Sequence, residues 1–97
     1  MNTNFIHLGV LVRVFFGQDY DLFGETADEI LTTYKNTENP QTVQKTINEA
    51  NDLLKSYADE KELESVFAEL TDGEFSPAAW GLTPQSFLKK VVDILSA

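Results

Sequence analysis

The chain has 97 residues, of which 42% are hydrophobic, enough for one compact domain with a single core and too few for two. It has no cysteine, which excludes a disulfide framework and a thiolate metal site and makes the cytoplasm the expected compartment. Seven basic residues against sixteen acidic ones give a net charge of −9, which repels phosphate backbones and anionic membranes and attracts basic surfaces. Solubility is the plain alternative explanation of that charge.

Residues 5–16 are almost wholly apolar, interrupted by His7 and Arg13. No basic segment precedes them and no small-residue cleavage signal follows, so the stretch does not read as a leader. It is also shorter than the about 20 apolar residues a bilayer needs. Its Val and Phe content would suit a strand, but its length and lack of alternation predict a helix, one buried on every face. Residues 17–24 form a loop mixing charge with aromatic residues, the usual composition of a binding surface.

The second helix follows Thr26, which with Glu29 makes a Thr-x-x-Glu capping box, and places Ala27, Ile30, Leu31 and Tyr34 on one face before ending near Asn36. The third spans residues 41–57, capped by Asn39 with Pro40 in its first turn. It carries Val43, Ile47, Ala50, Leu53, Leu54 and Tyr57 on one stripe. Asp59 is the expected cap of a fourth helix with Leu63, Val66, Phe67 and Leu70 inward. After a loop over residues 71–82, Thr83 and Pro84 start a last helix that buries Phe87, Leu88, Val91, Val92 and Leu95. The predicted fold is all-α, a compact single-domain bundle of about five short helices covering residues 1–97.

Motifs for chemistry are sparse. The five glycines form no phosphate-cradling loop. His7 is alone in an apolar segment with no evident partner, so it is read as structural and not as part of a catalytic triad or metal cluster. Asp19, Asp21, Glu25, Asp28 and Glu29 crowd five carboxylates into residues 19–29. Their spacing does not match a calcium loop, and a chain this short leaves little room for the sugar cleft of a glycosidase. No cofactor is expected. Asp19 and Asp21 have a local alternative role, bonding backbone amides of the turn. A second acidic group, Asp59, Glu60, Glu62, Glu64, Glu69, Asp72 and Glu74, reads mostly as a solvated helix face. Trp80 is read as a core residue, with an interface anchor as the alternative.

The run Phe16-Gly17-Gln18-Asp19-Tyr20-Asp21, followed by the helix start at residues 25–31, resembles a motif of contact-dependent growth inhibition immunity proteins. There an aromatic residue, His-Gln-Asp, Trp or Tyr, and Asp close the first helix. Phe75-Ser76-Pro77, Gly81-Leu82-Thr83 and Phe87-Leu88 resemble that family's C-terminal pattern, so the likeness runs from Leu11 to Leu95. Gly17 stands where histidine is usual, and Phe87 where tryptophan is commoner. The resemblance implies a helical, cytoplasmic, non-enzymatic protein that binds the toxic C-terminal domain of a surface-delivered effector, commonly a nuclease, as a monomer in a 1:1 complex. Partner contacts are then expected from Gln18, Asp19, Tyr20, Asp21, Glu25 and Asp28, with the carboxylates matching a basic cleft and Tyr20 an amphipathic anchor. A helical adaptor for an endogenous basic protein is the rival reading. An enzyme using an Asp19/Asp21 metal site comes third.

Overall fold

The computed structural model describes residues 5–17, 19–57, 59–71 and 77–97. Gln18, the residues Asp72, Glu74, Phe75 and Ser76, and the side chain of Leu70, all named above, lie outside what is described. The order is α1 (Ile6–Val10), continued by π-helical turns over Leu11–Phe15, a 3-10 turn (Tyr20–Leu22), α2 (Ala27–Thr37), α3 (Pro40–Ser56), α4 (Glu60–Thr71), a second 3-10 turn (Pro77–Trp80) and α5 (Pro84–Ser96). The protein is all-α, and no strand occurs among the described residues.

The starts of the helices follow from their caps. Thr26 Oγ1 accepts from the Glu29 amide at 3.1 Å, Asn39 Oδ1 from the Thr42 amide at 2.8 Å and Thr83 Oγ1 from the Ser86 amide at 3.1 Å. Each satisfies an amide that the first helical turn leaves without a partner. The predicted box at Thr26 closes differently: Glu29 Oε1 reaches back to the Glu25 amide at 2.8 Å and not to Thr26 itself. At Thr83 the box is complete, with the Ser86 hydroxyl accepting from the Thr83 amide.

The last helix is the centre of the bundle, packing on α3, α2 and α4. Its Phe87, Leu88 and Val91 are fully buried, as are Leu53 of α3, Ile30 and Leu31 of α2, and Leu63 of α4. Burying each such side chain contributes about 1.5–3 kcal/mol. Val92, Leu54, Tyr57 and Val66, predicted inward, are only half-buried against this core.

The first helix corrects its prediction. Leu8, Leu11, Val12, Phe15 and Phe16 are buried, but Ile6, Val10 and Val14 are 55%, 40% and 52% exposed. The helix is therefore half-buried, with an apolar outer ridge.

Two polar residues on the buried side of α3 were not anticipated. Thr46 Oγ1 donates to the Thr42 carbonyl at 2.9 Å, so the Tyr34 hydroxyl 2.8 Å away must be the donor to Thr46. Burial pushes the Tyr34 phenol above its ordinary value, and the nearby Glu38 and Glu49 carboxylates raise it further. Glu49, 8% exposed, caps the first helix from another element: its carboxylate accepts from the Leu8 amide at 2.8 Å and the His7 amide at 3.4 Å, and lies 2.6 Å from His7 Nδ1. His7, read from sequence as unpartnered, is thus paired, and the apolar first helix acquires the carboxylate it lacks at its positive end.

Candidate functional site

The first helix ends at Phe16, whose amide bonds the Leu11 carbonyl at 3.2 Å in a widened π turn. Such turns recur at functional sites. The chain then reverses sharply at Gly17, whose carbonyl accepts from the Tyr20 amide at 3.1 Å. A Cβ on Gly17 would fall 2.2 Å from the Arg13 carbonyl oxygen, so this path is shaped for glycine and a histidine side chain fits only if the backbone moves.

The reversal opens a cleft of about 990 Å³. Arg13, Val14, Phe16 and Gly17 form one wall, Asp19, Tyr20 and Glu25 a second, and Ala79 and Trp80 a third. Tyr20 and Trp80 meet edge to face with ring centroids 5.0 Å apart, and Trp80 meets Phe16 likewise at 5.2 Å. Phe16 in turn contacts Phe87 at 5.3 Å. Trp80, weighed as a core residue or an interface anchor, is half-buried against the core and also lines the cleft. A row of ring contacts joins the cleft wall to the core of the bundle.

The carboxylates divide by what they do. Glu49 caps the first helix, Glu29 ties down the Glu25 amide, and Glu60 Oε1 accepts from the Gln85 amide at 3.0 Å in the first turn of α5. Glu60 thus departs from the solvated-face reading of the second acidic group, while Glu62, Glu64 and Glu69 are exposed. Asp28 is 2.6 Å from Lys90 Nζ and borders a separate hollow beside Phe23 and Thr33. By contrast Asp19, Asp21 and Glu25 are exposed, and none of their carboxylates has a hydrogen-bond or ion-pair partner among the described residues. Of the turn-capping role weighed for Asp19 and Asp21, the described residues show no side-chain cap from Asp19 on the 3-10 turn that follows it.

Of the six residues named from sequence, Asp19, Tyr20 and Glu25 line the cleft together. Asp21 sits on the same turn without lining it, Asp28 lies apart with its charge paired, and Gln18 is outside the described residues. Arg13, Val14 and Trp80 are cleft residues that the motif did not point to. Among the described residues no group of three or more metal-ligand side chains gathers, and no helix is long and apolar enough to cross a membrane.

Among the described residues, this acidic helical protein thus gathers exposed carboxylates and aromatic rings around one cleft. The chain belongs to the CdiI immunity protein family, whose model matches residues 4–95. Membership makes it a protein that neutralises the toxin of a contact-dependent growth inhibition system. No curated protein and no solved structure matches the chain.

Proposed function

We propose that the cleft between the end of the first helix and the Pro77–Trp80 turn is where this immunity protein grips its toxin, and that the toxin domain is a nuclease. The observation that carries the reading is the meeting of Asp19 and Glu25, without partners among the described residues, with the Tyr20 and Trp80 rings in one cleft of a chain with net charge −9. Nuclease domains bind phosphate through basic surfaces, and carboxylates set beside aromatic rings occupy the same electrostatic niche, speeding association and excluding substrate. Asp19, Tyr20 and Glu25 make the central contacts, Asp21 flanks them on the same turn, and Gln18, the neighbour of Asp19 in sequence, adds a further contact. Asp28 contributes less, because Lys90 compensates its charge. The whole chain acts as one domain, in the cytoplasm, as a monomer that inhibits by occupying its partner 1:1 and not by catalysis.

The test is a nucleic-acid cleavage assay with the purified C-terminal domain of the effector encoded immediately upstream. Cleavage is expected, arrested by one equivalent of this protein and restored when the charges are reversed by combining Asp19→Lys and Glu25→Lys. A toxin domain that leaves DNA and RNA intact would overturn the nuclease assignment, and full inhibition by the double variant would overturn the cleft.

A further inference from the structure

Five large hydrophobic side chains are exposed among the described residues, and all lie between residues 6 and 22: Ile6, Val10, Val14, Tyr20 and Leu22. Scattered exposed apolar residues need no explanation, but their concentration in one segment of an otherwise well-covered bundle does. Ile6, Val10 and Val14 recur at intervals of four, which sets them in one ridge about 12 Å long on the outer face of the first helix. The ridge is continuous with the cleft, because Val14 lines it opposite Tyr20.

We infer that this ridge is the apolar half of the toxin contact, extending the interface from the cleft along the length of the first helix. The inference rests on the proposal that the cleft binds the toxin. Charge selects the occupant. Residues 5–17 carry His7 and Arg13 and no carboxylate, while Asp19 and Glu25 line the cleft with no ion-pair partner among the described residues. The matching surface is therefore an apolar strip bordered on one side by basic residues. A second copy of this chain, at net charge −9, is repelled as a whole, whereas a basic domain is attracted. The two halves divide the work: the carboxylates steer encounter, and the ridge, once dehydrated, holds the complex together.

The kinetics separate the halves. Association and dissociation of the purified toxin domain are measured over a range of salt for the wild type, for a ridge variant combining Ile6→Ala and Val10→Ala, which leaves the cleft-lining Val14 in place, and for Asp19→Asn with Glu25→Gln. Alanine at exposed helical positions raises helix propensity, and an unchanged melting temperature verifies the fold. The ridge variant is expected to dissociate at least about tenfold faster, with its association rate and salt dependence unchanged. The carboxylate variant is expected to associate more slowly at low salt, with the difference vanishing at high salt. Unaltered dissociation of the ridge variant would overturn the inference even if the carboxylate variant behaves as expected. Unaltered association of the carboxylate variant would count against the cleft alone. Concentration-dependent dimers of the wild type in sedimentation, abolished by the ridge variant, would assign the ridge to a second copy and overturn the inference as well.

Discussion

Replacing Glu49 with alanine removes the one carboxylate that joins α3 to the start of the first helix. Three interactions go with it: the Leu8 amide at 2.8 Å, the His7 amide at 3.4 Å and the His7 ring at 2.6 Å. The Leu8 amide is buried, so its loss carries the full cost of an unsatisfied donor, about 1–3 kcal/mol. The His7 amide bond is long and contributes little. The His7 side chain is 32% exposed and turns to water, which limits its share. The total is about 3 kcal/mol, a large fraction of the roughly 5–15 kcal/mol that holds a domain folded. At about 4–8 °C per kcal/mol for a domain of this size, the melting temperature falls by about 12–24 °C. Glu49→Gln should cost less, about 1 kcal/mol: its carbonyl still accepts from Leu8, and its amide can face His7 Nδ1 once the imidazole takes its other tautomer. Differential scanning calorimetry gives the two melting points, and hydrogen exchange at Leu8 reports whether the loss is local. A Glu49→Ala protein melting within about 3 °C of wild type, or with Leu8 exchange unchanged, would refute the cross-element cap.

Tyr34→Phe should cost about 1 kcal/mol at neutral pH, the net worth of one buried hydrogen bond. Because the folded phenol is raised above 10.0, the advantage of wild type over this variant is full below pH 10. It shrinks as pH rises through the folded value, a sign that urea titrations on both sides of pH 10 can verify. Gly17→Ala forces a Cβ to 2.2 Å from the Arg13 carbonyl, so it should destabilise by about 1–3 kcal/mol; an unchanged melting temperature would contradict the tight reversal. Lys90→Gln breaks a surface pair whose Asp28 side chain is 63% exposed, and a double-mutant cycle should return a coupling below about 1 kcal/mol.

What sequence made legible was local. Thr26, Asn39 and Thr83 are residue types whose hydroxyl or amide oxygen caps the amides just beyond them, so the helix starts could be read within a residue of Ala27, Pro40 and Pro84. The carboxylate-rich turn was likewise visible, because Asp19, Tyr20 and Glu25 lie within seven residues of one another. What escaped was set by distant partners. Glu49 bonds Leu8 across 41 residues, and its one sequence trace is its position three after Thr46 and four before Leu53, on the buried row of α3. Glu60 capping α5 across 25 residues has no local sign at all. The first helix misled because its apolar residues exceed what one side of a helix in a 97-residue bundle can bury. The surplus became the Ile6, Val10 and Val14 ridge. Trp80 could be placed in the cleft only through its ring contacts with Phe16 and Tyr20, far apart from it in sequence.

The central claim, that an acidic cleft on this immunity protein holds its toxin, is tested most directly by titrating the toxin domain with a protein carrying Asp19→Lys and Glu25→Lys. Neither carboxylate has an internal partner among the described residues, so the melting temperature should stay within a few degrees of wild type. Like charges set against a basic surface cost several kcal/mol, so affinity should fall by about a hundredfold or more. Wild-type affinity in a folded double variant would contradict the account.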